Sequence, residues 1–365
     1  MWLTARKGWK QLVTIVLVLF LLIIISGMRY KYFNSEYISH SATTQINGIF
    51  VFLVFMSHFR SYFDSAISYS RIYYEFQGFL GQLVVTTFLF YSGYGIFVSI
   101  LKKGKDYVDQ LPVKILELLS AFAVTIVVFW LVGLITGADY GLSRTLLSFI
   151  GWKSIGNSNW YMFDILLLYA LTYLSYKMTR RHGAALGVLA VLSVISMLVL
   201  REYQEGARWY NTFLCYWAGG CYALYKDSYE RFVMKDRLHY LLTTACWLAL
   251  FLFLHHYRTH MSLYILHGIA FVMVINHVSM TIALHSKILQ WLGAHIFGIY
   301  LLQRVPMILG SHFGMAQGGA MLTASYFFIS LLVTLLLSVG FNQMTSLLGK
   351  YIFQPMKQRI RTKTS

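Results

Sequence analysis

Residues 45–60, QINGIFVFLVFMSHFR, decide how this chain is read. The run is apolar, long enough as a helix to cross most of a bilayer, and it carries one histidine, His58. On a helix, the eleven residues from Asn47 to His58 give roughly 16 Å of rise and bring both polar side chains within roughly 20° of one face. An ionisable group inside a membrane helix is costly and ordinarily faces a bundle interior or a water-filled cavity. The spacing alone leaves two readings open: a histidine hydrogen-bonded to a neighbouring helix, and a histidine in an active site.

The rest of the composition agrees with a membrane setting. Of 365 residues, 58% are hydrophobic and 12% charged, about half the roughly 25% charge of soluble domains. The fold class expected is an all-α polytopic helix bundle, with little left over for a soluble domain. The spans expected are Leu12–Met28, Ile46–Phe63, Phe79–Leu101, Ile115–Thr136, Trp160–Tyr176, Ala184–Leu200, Thr212–Leu224, His239–Leu254, Ser262–Leu284, Leu289–Leu309 and Met321–Leu347. That is eleven. The first follows Arg6, Lys7 and Lys10 but ends without a good small-residue cleavage site, and reads as a retained helix. Pro306 lies inside a span and should kink it.

The net charge of +17 would suggest nucleic acid in a soluble protein. Here the basic residues fall in short loops, where positive-inside bias accounts for them, and no nucleic-acid partner is expected. If the Lys102–Lys114 loop is cytoplasmic, that side collects roughly seventeen Lys and Arg against about six opposite. The C-terminal tail, with Lys357, Arg359, Arg361 and Lys363, is then inside and His58 is in the outer half. The basic segment before Leu12 falls outside, against its local bias, so the first helix's orientation stays open. Cys215, Cys221 and Cys246 lack metal-ligand spacing and read as small core residues.

Several stretches are too polar for lipid-facing helices. Gly78, Gly81, Tyr91, Ser92, Gly93 and Gly95 lie on the third span, which ends in Lys102, Lys103 and Lys105. The glycines suit close helix contact; the lysines are either ordinary flank charges or a site for a phosphate-rich donor. Trp160 and Tyr161 suit an interfacial belt, but Asp164, one turn further in, needs a partner or a cavity. Arg208 and Arg304 add charge at the same outer level as Arg60. His255, His256 and His260 have no supporting carboxylates, and no metal is expected.

In order along the chain, NGIFVFLVFMSH, FLFYSGYGIF, NWYMFDILLLY and LGAHIFGIYLLQRVPMI resemble four segments of the acyltransferase 3 family of integral membrane acyltransferases. The resemblance runs from about Thr43 to the last span. It implies a ten-helix core over residues 43–349, preceded by an extra helix in 1–42 and followed by a basic tail in 350–365. It implies transfer of an acyl group, often acetyl from acetyl-CoA, to a hydroxyl of a surface polysaccharide or lipid-linked sugar, in a bacterial cytoplasmic membrane. His58 is then the catalytic base or a transient acyl carrier. Donor contacts fall to Asn47, Lys102, Lys103 and Lys105, and acceptor contacts to Arg60, Tyr91, Ser92, Trp160, Asp164, Arg208 and Arg304. Where the family carries a basic residue eleven positions before the histidine, this chain has Asn47, whose amide cannot neutralise an anion. The alternatives are a transporter or flippase using the same charges, and a relative that only binds a partner.

Overall fold

The computed structural model describes residues 2–62, 78–258, 260–317 and 320–364, with the side chains of 2–13, 320, 361, 363 and 364 left undescribed. The end of the second expected span, at Phe63, lies outside the described residues. In chain order the long elements begin with α1 (Trp2–Gly27), β1 (Met28–Tyr30), α2 (His40–Phe59), α3 (Leu83–Lys103) and α4 (Lys105–Thr136). Next come α5 (Leu142–Ser148), α6 (Trp160–Met178), α7 (His182–Tyr203), α8 (Leu214–Val233), α9 (Arg237–Tyr257) and α10 (Met261–Ser279). The chain closes with β2 (Ile282–Leu284), α11 (Lys287–Ala294), α12 (Ile296–Leu302), α13 (Arg304–His312), α14 (Ala320–Leu348) and α15 (Gln354–Thr364).

Seven described helices are long and apolar enough to cross a membrane, or eight if the bent α11–α13 segment is one span. Two further expected spans, α6 and α8, are helices of ample length but less apolar composition. Four tyrosines and Asp164 dilute α6, and α8 carries Lys226, Asp227, Glu230 and Arg231 in its last turns. The Lys102–Lys114 loop shrinks to one residue: Gly104, at φ +58°, divides α3 from α4, and Pro112 sits inside α4. Left-handed backbone of that kind is where glycine costs least. The segment expected as one proline-kinked span bends by 62° at His295 and breaks again at Gln303. Pro306 accounts only for the second break, since it leaves the carbonyl four residues back without its helical donor.

Side-chain oxygens start several helices. Ser39 accepts from the Ala42 amide, Ser286 from Leu289 and Asp236 from His239. Those amide and ring contacts to His239 hold the Asp236 carboxyl below its ordinary range.

Glycines set the closest helix contacts. A Cβ on Gly93 would strike the Tyr216 carbonyl and one on Gly219 the Phe90 carbonyl, which locks α3 against α8. Gly48 and Gly293 do the same for α2 and α11. Gly95 touches nothing of the kind. Helices α2 and α3 are the most buried of the spans, while α9 presents Leu241, Leu252 and Phe253 outward. Such an apolar outer face suits lipid.

Contacts also assign the two ends of the bundle. Strands β1 and β2 pair antiparallel, Met28 with Leu284 and Tyr30 with Ile282, placing the ends of α1 and α10 and the start of α11 on one face. Helix α3 runs parallel to α10, with Thr86 against Gly268 and Tyr91 bonded to Asn276. It also runs parallel to α6, with Phe88 on Tyr161 and Phe97 on Tyr176. Lys102 and Lys103 therefore finish at the ribbon face. Arg237 joins them by bonding Tyr30, Lys177 by pairing with Asp109 at 2.9 Å, and Lys357 by pairing with Glu117. His58, eighteen residues from the start of α2, is roughly 27 Å of helix rise away, at the opposite face.

Candidate functional site

Helix α2 is the natural place to begin. Apolar residues at nearly every position of its middle, Phe50 to Met56, bury it on all sides. His58 falls in its last turn, nearer the end than its sequence position within the apolar run implies. There the Arg60 amide closes the helix by donating to the Met56 and His58 carbonyls. The His58 ring lies 6.4 Å, centroid to centroid, from that of Tyr300 on α12. Its Nδ1 is buried and has no hydrogen-bond partner among the described residues.

Around that ring, unmet polar groups accumulate. The Tyr300 hydroxyl is buried, and no described residue meets it at good hydrogen-bond geometry. The Tyr161 ring, on the first turn of α6, is 5.3 Å from the Tyr300 ring. One turn along α6, Asp164 is fully buried, and neither carboxylate oxygen has a partner. It acts electrostatically on both Tyr161 and Tyr300. Ser158 stands beside Tyr300, and Ser92 beside Tyr161 and Tyr169. Gln303 donates to the Tyr300 carbonyl at 3.0 Å and leaves its own Oε1 unpaired. Arg304 couples electrostatically to His58 and Tyr300, while its Nε donates to the Tyr62 hydroxyl at 2.8 Å. Roughly nine in ten buried polar groups in native proteins are hydrogen-bonded, so a concentration of exceptions marks a functional interior more than a packing core.

Of the residues singled out from sequence, the structure gathers His58, Asp164, Arg304 and Ser92 around Tyr161 and Tyr300. Trp160 packs edge-on to Tyr161, 6.2 Å away, at the margin. Arg60 is half-buried at the end of α2. Tyr91 belongs elsewhere: its hydroxyl donates to Asn276 Oδ1 at 3.0 Å, toward α10. Arg208 sits exposed on the short turn Ala207–Trp209. Asn47 lies down the same helix toward the ribbon face, and its Oδ1 is likewise buried and unpaired.

At the ribbon face, Lys105 lines a cavity of about 310 Å³ with Asp109, Tyr176, Lys177, Arg180 and His182. Lys102 and Lys103 are exposed beside its rim at Gly104, and Lys103 lies 5.8 Å from the Tyr107 ring centre. Cation-rich concavity suits phosphate. His255 and His256 occupy the last turn of α9 rather than a loop, and His255 Nδ1 meets His267 Nε2 at 3.3 Å. Among the described residues no three or more His, Cys, Asp or Glu side chains gather as a metal would require.

Tyr300, Gln303, Tyr161 and Ser158 were not picked out as site residues from the sequence. A signal existed for the first two, because positions 300, 303 and 304 share one helix face by the i, i+3, i+4 rule. Tyr161 and Asp164 repeat that spacing on α6. Ser158 precedes any regular element and carries no periodic signal.

One family model, described as acyltransferase domain and representing acyltransferase 3, matches residues 44–342. No curated protein and no solved structure gives a significant match.

Proposed function

The chain belongs to the acyltransferase 3 family, and from that premise we propose a multi-pass O-acyltransferase that carries an acyl group across the bundle. In this reading the protein lies in a bacterial cytoplasmic membrane, the ribbon face is cytoplasmic because it holds most of the basic residues, and the C-terminus is on that side. Residues 43–349 form the working core, with the first helix and the basic tail as additions. The donor is acetyl-CoA or another acyl-CoA. Its phosphates meet Lys105, Lys177 and Arg180 in the cavity beside Gly104, with Lys102 and Lys103 at the rim. The acceptor is a hydroxyl of a surface polysaccharide or lipid-linked sugar at the far face.

The observation that carries the proposal is the buried, partnerless Nδ1 of His58 within a group of equally unmet hydroxyl, amide and carboxylate atoms. A neutral imidazole nitrogen with no protein donor is free to take a proton from an acceptor hydroxyl. The alkoxide oxygen then bonds to the thioester carbonyl carbon. As the carbon–sulfur bond breaks, the thiolate leaves and recovers the proton from the imidazolium. Negative charge developing on the carbonyl oxygen falls near Arg304 and the Tyr300 hydroxyl, groups of the kind that stabilise an oxyanion. Asp164, electrostatically coupled to Tyr161 and Tyr300, adds a carboxyl group beside the two hydroxyls.

The test is acyl transfer in vesicles supplied with donor labelled in the acetyl group, followed by mass spectrometry of the glycan. Label in an ester on the sugar is the expected result. Passage of unmodified glycan across the vesicle membrane, with no label incorporated, would replace the proposal with a transporter.

A further inference from the structure

A second polar cavity opens on the same face as His58, between the end of α7, the turn that follows it and the start of α10. Its volume is about 470 Å³, within the roughly 300–1,000 Å³ typical of small-molecule sites. Arg201 and Arg258 line it together with Tyr210, Asn211, His260 and Tyr264. Its position on that face follows from the fold: α10 begins there and ends at the ribbon.

The charge balance of this cavity is unusual. Two guanidinium groups line it, and none of the ion pairs among the described residues involves either of them. Glu202 and Glu205 lie nearby in sequence, yet neither lines the cavity or pairs with Arg201 or Arg258. Arg258 instead rests 5.9 Å from the centre of the Tyr264 ring. Planar guanidinium groups bind carboxylate and phosphate through paired hydrogen bonds, so the cavity presents an uncompensated anion site.

A second observation narrows the ligand further. Asn211 is 7% exposed, lines the cavity and has an Oδ1 with no partner among the described residues; Thr212 beside it is fully buried, and its hydroxyl has none among them either. An amide oxygen accepts and never donates, so what completes Asn211 is a donor such as a hydroxyl. A ligand that satisfies both features carries a negative charge and a hydroxyl close together. The rings of Tyr210 and Tyr264 add aromatic surface for an apolar ring face.

We infer that this cavity binds an acidic sugar, with its carboxylate or phosphate between Arg201 and Arg258 and a ring hydroxyl donating to Asn211. The inference rests on the reading of the acceptor as a glycan and adds that the glycan is anionic. It also gives Arg258, which no motif pointed to, a part in choosing the substrate.

The experiment titrates the full chain in lipid nanodiscs with three probes: a hexuronic acid tetrasaccharide, its carboxyl-reduced neutral counterpart and a sugar phosphate. At least one charged probe should bind 10-fold or more tightly than the neutral sugar, and which one does so identifies carboxylate or phosphate as the natural anion. The double variant R201A/R258A should erase that preference, so that charged and neutral probes bind it within about 2-fold of each other. R201K/R258K, which keeps the charge, should restore part of it and guards against a merely unfolded variant. Equal affinity for charged and neutral probes, or a preference that survives in the alanine variant, overturns the assignment. No acyl donor is present in the titration. Charge-selective binding by a protein that transfers no acyl group would therefore sink the proposed reaction while upholding this site.

Discussion

Two histidines sit in opposite halves of this bundle, His277 buried and His58 half-buried, and their surroundings are opposites too. His277, near the end of α10, is hydrogen-bonded through both ring nitrogens: Nδ1 to Thr244 at 2.8 Å and Nε2 to Tyr229 at 2.7 Å. The network assigns itself. Thr244 donates to the Tyr240 carbonyl, so its oxygen accepts from Nδ1–H. Nε2 then accepts from the Tyr229 hydroxyl, whose oxygen takes the Trp247 N–H at 2.8 Å. Tyr240 stacks on the His277 ring and bonds its carbonyl. His58 has none of this: its Nδ1 is unmet, as are the Tyr300 hydroxyl and both Asp164 oxygens. What separates a structural histidine from a working one here is the state of its hydrogen bonds. A completed network specifies a fold, whereas an incomplete one stores binding capacity at a cost in stability.

The sharpest way to break this contrast is His58→Ala. Because no bond to Nδ1 is lost, the thermal midpoint in detergent should stay within about 2 °C of wild type, a shift worth less than about 1 kcal/mol. Acyl transfer should fall by about 10²- to 10⁴-fold, the usual worth of a general base. A folded variant with wild-type turnover would move His58 to the same class as His277.

Asp164→Asn tests whether the rest of the cluster is also unfinished. An unpaired buried carboxylate is a liability that an amide of the same shape relieves, so stability should hold or rise. Turnover should drop about 10-fold, short of the roughly 10²–10³ of a direct oxyanion donor. Marked destabilisation would instead mean that the carboxylate is paid for by the fold.

His277→Ala should invert the first pattern. It takes from the Tyr229 hydroxyl its acceptor and from the Thr244 oxygen its ring N–H donor, so that Tyr229 keeps only the Trp247 N–H and Thr244 only the Tyr240 carbonyl, at about 1–3 kcal/mol. The midpoint should drop by several degrees, while kcat/KM of the purified, folded protein changes less than 3-fold. Loss of activity at constant stability would give His277 a chemical role.

The helical class, the apolar character of α2 and the family were legible because period and composition are local. Alternating connections also imply that His58 and the Lys102–Lys105 cluster lie at opposite ends, and the contacts of α2 and α3 put them there. The distinction between Tyr91 and Tyr300 was not. Both are buried tyrosines on core helices, and only packing decides that one bonds Asn276 while the other faces His58. The one-residue Gly104 break escaped notice because charge in Lys102–Asp106 mimics a loop, although the helix continues with its charged side chains in solvent. The 62° bend at His295 has no proline or glycine pair to announce it; Gly293 nearby is occupied with the close approach to Thr44.

Asn47 extends the comparison along α2 itself. Its Oδ1 is as unmet as His58 Nδ1, on the same face of the same helix and about 16 Å nearer the basic end. An amide oxygen can accept a hydrogen bond from a donor substrate but contributes no charge, while Lys105, Arg180 and Lys177, the last paired with Asp109, line a separate cavity. If those three supply the phosphate contacts, then Asn47→Arg adds a cation where charge is not limiting. Donor KM should then fall no more than about 3-fold, and Lys105→Ala together with Lys177→Ala should raise it by more than that. A 10-fold or larger gain from the arginine, about 1.4 kcal/mol, would show that donor charge is read along α2. The basic-face cavity would then be flank charge of the ordinary kind. The same measurement decides whether the two unmet atoms on α2 serve one substrate in sequence or two substrates apart.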